Sequence, residues 1–279
     1  DEMGLYFDTP RARYSWSSYK IPTQVAVIEA VNCIDNDEKT VAELKRWLLQ
    51  QKCVQDWETP IATTDAVYAL LNIGKNVLDD SGDATLTVGK QVIRVIPNDT
   101  LSYVHQAIDG DVLNIKEVKV KKHTKGMGWG AIYAEYEEDM DQIESQGNAL
   151  YVDKEIYKNG KPLLEDEVLK LGDKLTIRLK MKVDRDMDFI ELKDERAACL
   201  EPVDLLSGYR WNQRIGYYQE TKDASTSFFF DQMRKGKYEL EYEVYVTSLG
   251  EYQQGIATVQ SVYAPEFNGH GKGGRLIVK

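Results

Sequence analysis

The sequence predicts an α+β chain of several domains, in which an N-terminal helical part is followed by β-sandwich domains. Between residues 20 and 74, apolar residues recur at three- and four-residue spacing, which is typical of amphipathic helices. From residue 84 onward, apolar and polar residues alternate in short runs bounded by Gly, Asn and Asp, which is typical of half-buried strands. The length of 279 residues allows one large domain or about two to three ordinary ones, and the hydrophobic content of 42% is enough for cores.

Two helices are predicted near the start of the chain. The first covers residues 20–32 and has Pro22 in its first turn, where the missing backbone N–H is not needed. The second begins at Thr40, because Thr40 and Glu43 fit a capping box, and it ends near Lys52.

A third helix begins at Thr59, has Pro60 as its first helical residue and ends at Gly74. Its small alanines favour close helix packing in an array. Because three helices cannot bury both sides of such an array, we expect upstream helices or support from the β region. We place this helical domain at residues 1–78.

A first β domain is expected at residues 79–147. It ends near Gly147, because the acidic stretch before that residue lacks any period. Its strands are predicted at residues 85–88, 91–96, 112–121 and 129–136.

The closing domain, residues 148–279, is predicted to be a β-sandwich. Its clearest strand alternates apolar Tyr238, Leu240, Tyr242, Val244 and Val246 with mostly glutamates, so one face is buried and the other charged. Further strands are expected at residues 150–158, 174–183, 188–192, 228–230, 255–263 and 275–279.

Charge excludes one class of partner. With 35 basic and 46 acidic residues, the net charge of −11 opposes binding to a phosphate backbone, so no nucleic-acid partner is expected. The sequence contains no run of about eighteen apolar residues, which is the length needed to span a bilayer. The sequence begins at Asp1 without a leader-like segment, so we expect any targeting signal to lie outside these residues.

Three cysteines, Cys33, Cys53 and Cys199, lie far apart and without a nearby histidine or a CxxC motif. We expect buried free thiols that pack as small apolar side chains. A disulfide between Cys33 and Cys53 and a nucleophilic cysteine are the alternatives.

A calcium-loop pattern is formed by Asp184, Asp186, Asp188 and Glu195. Phe189 occupies the position that needs glycine, and the flanks predict strands where an EF-hand needs helices. We expect a solvated strand end here, with calcium as the alternative. The acidic run over residues 135–141 is likewise expected to be a solvated face, with a cationic partner or ion as the alternative.

A GxGxxG motif is formed by Gly269, Gly271 and Gly274, but it precedes a terminal strand instead of opening a helix. We expect a flexible turn, not a phosphate site. The histidines show no metal spacing and no nucleophile partner; they are His105, His123 and His270. The sequence therefore predicts a non-enzyme with no catalytic, cofactor-binding or metal-binding residues and no cofactor.

Several segments carry a family resemblance. Residues 47–71, WLLQQKCVQDWETPIATTDAVYALL, resemble the late helices of the thioester domain in the bacterial alpha-2-macroglobulin family. Residues 128–136, GWGAIYAEY, look like the strand that returns from that domain. Residues 186–202, DMDFIELKDERAACLEP, and 262–269, VYAPEFNG, look like the C-terminal macroglobulin-type domain.

The resemblance implies a C-terminal fragment with three parts. Residues 1–78 would end an α/α toroid thioester domain, residues 79–147 would form the returning half of a CUB-like β domain, and residues 148–279 would form the terminal macroglobulin-type domain. It also implies an endopeptidase inhibitor, a periplasmic or lipid-anchored bacterial cell-envelope protein that traps peptidases by conformational change. Its partners would be target peptidases, through the full-length protein, and upstream domains of the same chain.

The family's thioester motif, Cys-x-Glu-Gln, does not occur in this sequence; Cys199, in CLEP, comes nearest and lacks the glutamine. The reactive half therefore lies upstream, or this member has no thioester. The alternative function is an envelope adhesion or scaffold protein that binds a surface protein or a glycan through exposed aromatics among Trp211, Tyr217 and Tyr218. A third alternative is an enzyme of the α/α toroid type, which would need a pair of acidic residues in a pocket of the helical part.

Overall fold

Helices precede strands along the chain, as the sequence predicts, and the α+β fold class is confirmed. The computed structural model describes residues 4–7, 20–57, 59–78, 83–95, 105–110, 115–124, 128, 130–135, 137–164, 167–212 and 215–279. Within these ranges three α-helices come first and eighteen strands follow. The contacts divide the chain into two units, residues 1–136 and 137–279.

The first unit contains helices α1 (Lys20–Ala30), α2 (Glu38–Val54) and α3 (Pro60–Asn72). A π-helical turn, Val31–Asp35, extends α1 beyond its predicted end. The helices bury the stripes that their periodicity predicts; side chains with no exposed surface are Ile28, Leu44, Leu48, Ala66 and Ala69.

The observed N-cap residues of α2 and α3 can be compared with the predicted ones. The expected start of α2 at Thr40 is wrong, because Asp37 is the N-cap: its carboxylate accepts hydrogen bonds from the backbone N–H groups of Lys39 and Thr40. Thr40 lies inside the first turn, and its hydroxyl donates to the same carboxylate. The cap of α3 is confirmed, since the Thr59 hydroxyl accepts from the N–H of Ala62.

A small antiparallel sheet follows the helices, with strand order β2-β1-β3. Its strands are β1 (Ala84–Val88), β2 (Gln91–Val95) and β3 (Val118–Lys122). Part of the strand expected at 112–121 falls on residues 112–114, outside the described residues. The strand expected at 129–136 is wrong for residues 130–135, which form no strand; residues 129 and 136 lie outside the described ranges.

The second unit is a β-sandwich made of a five-stranded sheet, order β10-β14-β8-β5-β6, and a seven-stranded sheet, order β11-β12-β13-β9-β16-β17-β4. A three-stranded sheet, order β15-β18-β7, accompanies them. The strands are β4 (Gln146–Gly147), β5 (Leu150–Lys158), β6 (Lys161–Pro162), β7 (Val168–Leu169), β8 (Lys174–Val183), β9 (Met187–Glu195), β10 (Leu200–Pro202), β11 (Gly208–Asn212), β12 (Ile215–Thr221), β13 (Ser225–Met233), β14 (Gly236–Val246), β15 (Gly250–Gln253), β16 (Ala257–Ser261), β17 (Asn268–His270) and β18 (Arg275–Val278).

The sandwich core is built by alternation. Along β14, Leu240, Val244 and Val246 are buried and the intervening glutamates are exposed, as predicted. The same parity buries alternate residues of β5, β8 and β9. Opposed apolar faces from the two sheets therefore form one core.

Two glycines allow backbone segments to approach closely. A Cβ on Gly269, in β17, would lie 2.3 Å from the carbonyl oxygen of Leu150, and one on Gly255 would lie 2.2 Å from that of Glu195. Gly255 also has a φ of +75°, which side chains rarely adopt. The expectation of a flexible turn over the GxGxxG motif is thus wrong for Gly269, which is held in a strand.

Candidate functional site

An exposed aromatic face lies on the edge hairpin of the seven-stranded sheet. Tyr209 and Trp211 are two residues apart in β11, so both project from the same side of the sheet. They are 78% and 84% exposed. Tyr218 stands opposite Tyr209 on β12, with ring centroids 5.2 Å apart in an edge-on arrangement. Trp211 stands opposite Gly216, where a Cβ would lie 3.1 Å from the indole.

A groove of about 940 Å³ lies between this hairpin and the five-stranded sheet. Trp211 and Tyr217 line it, but the ring of Tyr217 packs on Phe228 and Phe230 with centroids 5.7 Å away. Burial raises the pKa of Tyr217. Of the three aromatic residues named from the sequence, Trp211 and Tyr218 are therefore exposed, whereas Tyr217 packs on the core.

The charges of the groove are balanced. Three lysines and three carboxylates line it: Lys180, Lys182, Lys237, Asp153, Glu239 and Glu241. Lys180 is paired with Glu155 at 2.6 Å, and the guanidinium of Arg178 lies 2.5 Å from Glu241. The groove selects neither an anionic nor a cationic partner.

A buried polar cluster lies in the sandwich core. Lys154 takes a core-facing position of β5 between Val152 and Ile156, and Asp194 continues the core-facing series of β9 after Leu192. Tyr242 takes a core-facing position of β14. Strand alternation thus brings the three side chains, from both sheets, into one place.

The centre of the cluster is the contact between Lys154 and Asp194. The Nζ atom lies 2.7 Å from Oδ1, and both side chains have no exposed surface. Three backbone carbonyls surround the same nitrogen, with Glu195 O at 2.7 Å, Gln254 O at 3.3 Å and Gly255 O at 3.5 Å. Asp194 Oδ1 nevertheless accepts no hydrogen bond of normal geometry.

Tyr242 and Arg196 complete the cluster. The Tyr242 hydroxyl donates to Asp194 Oδ2 over 2.5 Å. Arg196 is buried and donates to the Thr226 hydroxyl and to the carbonyl oxygens of residues 222 and 223. Burial raises the pKa of Asp194 and, together with that carboxylate, holds the pKa of Tyr242 well above its ordinary value.

The carboxylates of the calcium-loop pattern have separate partners. Asp184 pairs with Arg185, and Asp186 accepts from the backbone N–H of residue 235. Asp188 accepts from Gln232, and Glu195 pairs with Lys193. Within the described ranges, no group of three or more His, Cys, Asp or Glu side chains is placed to hold a metal ion.

The cysteines differ from the expectation that all three are buried. Cys33 and Cys53 are exposed, because they lie on outward faces of the π-helical turn and α2, and neither forms a disulfide. Cys199 is buried, and desolvation raises the pKa of its thiol. A buried thiol with a raised pKa is a poor nucleophile, which agrees with a structural role for Cys199.

The histidines and the acidic run are not brought together as a site. His105 and His123 are exposed, His270 is half-buried in β17, and the three lie in different parts of the chain. Within the acidic run, Glu135 and residues 137–139 are exposed, as expected of a solvated face. Asp141 differs, because it pairs with Arg275 at 2.5 Å.

The sequence interpretation missed the buried cluster, although a signal was present. Lys154, Asp194 and Tyr242 each occupy a core-parity position in a strand whose other core positions are apolar. A charged residue at such a position is seldom buried without a partner. Searching strands for parity-breaking charges would have found the lysine and the aspartate.

The second unit is a β-sandwich with the two main sheets described above. Residues 150–266 match the family model described as the bacterial alpha-2-macroglobulin MG10 domain. This match confirms, for residues 150–266, the resemblance to the bacterial alpha-2-macroglobulin family seen in the sequence.

Solved structures and a curated relative give similarities of lower coverage. Trypsin-activated alpha-2-macroglobulin from Escherichia coli is 14% identical, with a TM-score of 0.49, over 95% of this chain and 19% of that chain. Salmonella alpha-2-macroglobulin reacted with methylamine is 16% identical, with a TM-score of 0.42, over 96% and 18%. The Dictyostelium discoideum protein named circularly permutated Ras protein 2 is 28% identical over 116 residues, which are 41% of this chain and 3% of that protein. The chain thus spans less than a fifth of the length of each of these relatives.

No helix in the described part of the chain is long and apolar enough to cross a membrane.

Proposed function

We propose that this chain is part of an alpha-2-macroglobulin-like endopeptidase inhibitor that traps peptidases by conformational change. The match of residues 150–266 to the bacterial MG10 domain carries the proposal. Within it, the sandwich serves as a structural and docking module, not as a catalytic one. The protein is not an enzyme in this proposal, and its partners are target peptidases and the upstream domains of the same protein.

The proposal extends to domain organisation and location. Residues 1–78 are assigned to the end of a thioester-type helical domain, residues 79–147 to the returning half of a CUB-like domain, and residues 148–279 to the terminal macroglobulin-type domain. The protein would act in the bacterial cell envelope, where incoming peptidases are met. The net charge of −11 agrees with a partner other than nucleic acid.

A capture experiment tests the proposal on the full-length protein that contains this chain. The protein is incubated with trypsin, and peptidase activity is measured on a small peptide and on casein. A trap is expected to preserve cleavage of the peptide and suppress cleavage of casein, because enclosure excludes large substrates. Trypsin with its active-site serine blocked is the control. It cannot trigger the conformational change, so it should elute as free trypsin when the mixture is separated by gel filtration. Undiminished casein cleavage would overturn the proposal.

Methylamine separates two kinds of trap. A strained thioester kept dry reacts with this small nucleophile, so a mass adduct and a new titratable thiol indicate a covalent trap. The reactive cysteine would then lie in another part of the protein, because these 279 residues lack the Cys-x-Glu-Gln motif. Capture without an adduct would indicate a trap that acts by enclosure alone.

A further inference from the structure

We propose that Lys154 and Asp194 become joined by an amide bond between Nζ and Cγ, which cross-links the two sheets of the sandwich. The bond would connect β5 of the five-stranded sheet with β9 of the seven-stranded sheet. This inference concerns a modification of the sandwich and stands independently of peptidase trapping.

The geometry places the amine in direct contact with the carboxyl group. Nζ lies 2.7 Å from Oδ1, and both side chains have no exposed surface. The carbonyl oxygens of Glu195, Gln254 and Gly255 also lie within 3.5 Å of the nitrogen and restrict its movement. Fixing two reactants in contact can raise their effective concentration to about 10⁵ M or more, which favours condensation.

Burial favours the uncharged acid that the condensation needs. A carboxylate and an ammonium do not condense while both are charged, and removing a carboxylate from water favours its neutral acid. Burial raises the pKa of Asp194, which is the direction that favours the acid. A dry core also keeps water from hydrolysing the product.

The step balances as a condensation. The Lys154 ammonium first passes a proton to Asp194 Oδ1, which gives an amine and a carboxylic acid. The nitrogen lone pair then forms the N–C bond to Cγ, the bond from Cγ to Oδ1 breaks, and Oδ1 leaves with a second proton from nitrogen as one water molecule. Nothing is oxidised or reduced.

Tyr242 is placed to assist at the oxygen that remains. Its hydroxyl donates to Oδ2, so it can stabilise the negative charge that develops there as nitrogen attacks. The same hydrogen bond then serves the amide oxygen, and the amide N–H keeps one of the surrounding carbonyls as its acceptor. Each buried polar group of the product therefore has a partner.

Other short ion pairs of the sandwich lack this environment. Lys180 and Glu155 are 2.6 Å apart with side chains 40% and 30% exposed, and Lys158 and Asp173 are 2.6 Å apart with both 20% exposed. Water keeps such groups ionised. Of the ion pairs among the described residues, Lys154 and Asp194 alone have both side chains fully buried.

Mass spectrometry of the denatured, reduced 279-residue chain tests the proposal. The expected mass is the sequence mass less one water. Peptide mapping is expected to yield one branched product that contains Lys154 and Asp194, and no cleavage by trypsin after Lys154. An unchanged mass after prolonged incubation of the folded protein, or a water loss located elsewhere, would overturn the proposal.

Two substitutions at Asp194 provide matched controls. Asp194→Asn is expected to lose ammonia instead of water and so to reach the same final mass as the cross-linked wild-type chain. Asp194→Ala is expected to keep its full calculated mass. Water loss that persists in Asp194→Ala would place the reaction at another site and overturn the proposal.

Tyr242→Phe tests the assisting role without removing either bonded residue. We expect slower water loss after refolding, with the same final product. Far-ultraviolet circular dichroism recorded in parallel separates the rate of condensation from the rate of folding. An unchanged rate of water loss would show that Tyr242 does not assist the reaction.

Discussion

Among the residues that the structure describes, each unit buries one lysine, and the two lysines are accommodated differently. In the helical unit, Lys45 is 2% exposed, and its Nζ donates to the carbonyl oxygens of Leu70 at 3.1 Å and Lys75 at 2.8 Å. No carboxylate in the described ranges lies within ion-pair distance of it. In the sandwich, Lys154 has the same kind of carbonyl shell and in addition the carboxylate of Asp194 at 2.7 Å.

Lys45 is held by carbonyl groups at and beyond the end of a helix. Leu70 lies in the last turn of α3, where backbone carbonyls have no partner within the helix and carry partial negative charge, so a lysine can cap them. Desolvation lowers the pKa of Lys45, so part of the unfavourable charge burial is relieved by easier deprotonation. In the sandwich, three carbonyl oxygens surround Lys154, so the two lysines differ by the carboxylate of Asp194 and not by the number of carbonyls.

Removal of the carboxylate should have the largest effect. Asp194→Ala leaves Lys154 buried without a carboxyl partner, so the variant has an unpaired buried charge and cannot form the proposed amide bond; we expect the free energy of unfolding to fall by about 3–5 kcal/mol from the unpaired charge alone. Urea unfolding of the chain measures the loss, and hydrogen exchange should place it in β5 and β9.

Two variants control this prediction. Glu155→Ala breaks an equally short but exposed pair with Lys180 and is expected to lower stability by less than about 1 kcal/mol. Lys154→Met combined with Asp194→Leu removes both charges and is expected to recover the part of the loss that comes from the unpaired charge, but not the part that comes from an amide cross-link. Equal losses in Asp194→Ala and Glu155→Ala would contradict the importance given to burial.

A glycine that supports the sandwich lysine gives the next largest effect. Gly255→Ala would place a Cβ 2.2 Å from Glu195 O at a φ of +75°, and so would displace two of the carbonyls around Lys154. We expect a loss of about 2 kcal/mol or more, measured by urea unfolding.

Gly160→Ala is the matched control for Gly255→Ala. Gly160 has a φ of +74°, but a Cβ there would meet nothing within 4 Å. Only the conformational strain remains, which amounts to about 1–2 kcal/mol. A Gly255→Ala loss no larger than that of Gly160→Ala would mean that the close approach to Glu195 relaxes without cost.

Much of the sandwich could be predicted because its alternation is regular. The bounds of β5 and β8 match the predicted strands at both ends, since apolar and charged residues alternate without interruption. Strands β11 and β12 were missed because their pattern is inverted: Tyr209 and Trp211 face solvent, while Gln219 is buried. Periodicity identifies strands only when the apolar side is the inner side.

The core site could be predicted only in part. Strand parity places Lys154 and Asp194 toward a core, but their contact depends on how two sheets pack, which no local pattern records. The cap of α2 shows a similar limit, because Asp37 and Thr40 are both good N-cap residues and the backbone conformation at Asp37 decides between them.

A smaller effect is expected at the other end of the helix that Lys45 caps. Thr59 holds the start of α3 by accepting from the N–H of Ala62 at 3.1 Å. Thr59→Ala should lower the free energy of unfolding by about 1 kcal/mol, and Thr59→Ser, which keeps the hydroxyl, should restore it. Helix loss in urea, followed by circular dichroism, measures the change. Equal stability of the alanine and serine variants would show that the hydroxyl contributes nothing.

The smallest effect is expected at Lys45 itself, and its pH dependence is the informative part. Lys45→Met keeps the length of the side chain but removes two hydrogen bonds and a desolvated charge, so we expect a change of less than about 1 kcal/mol at pH 7. The pKa of Lys45 is lower in the folded protein than its ordinary value of 10.5. Between those two pKa values the unfolded chain binds more protons than the folded one, so wild-type stability gains from Lys45 as pH rises through this window.

Below the folded pKa both states carry the proton, and the full desolvation penalty is present in the wild type but not in Lys45→Met. The stability of the variant relative to the wild type should therefore decrease between pH 7 and pH 10, as measured by urea midpoints. Lys39→Met removes an exposed lysine from the same helix and should run parallel to the wild type. A Lys45→Met difference that stays constant across this range would mean that backbone carbonyls alone hold the charged lysine, and the two buried lysines would then differ only in the presence of Asp194.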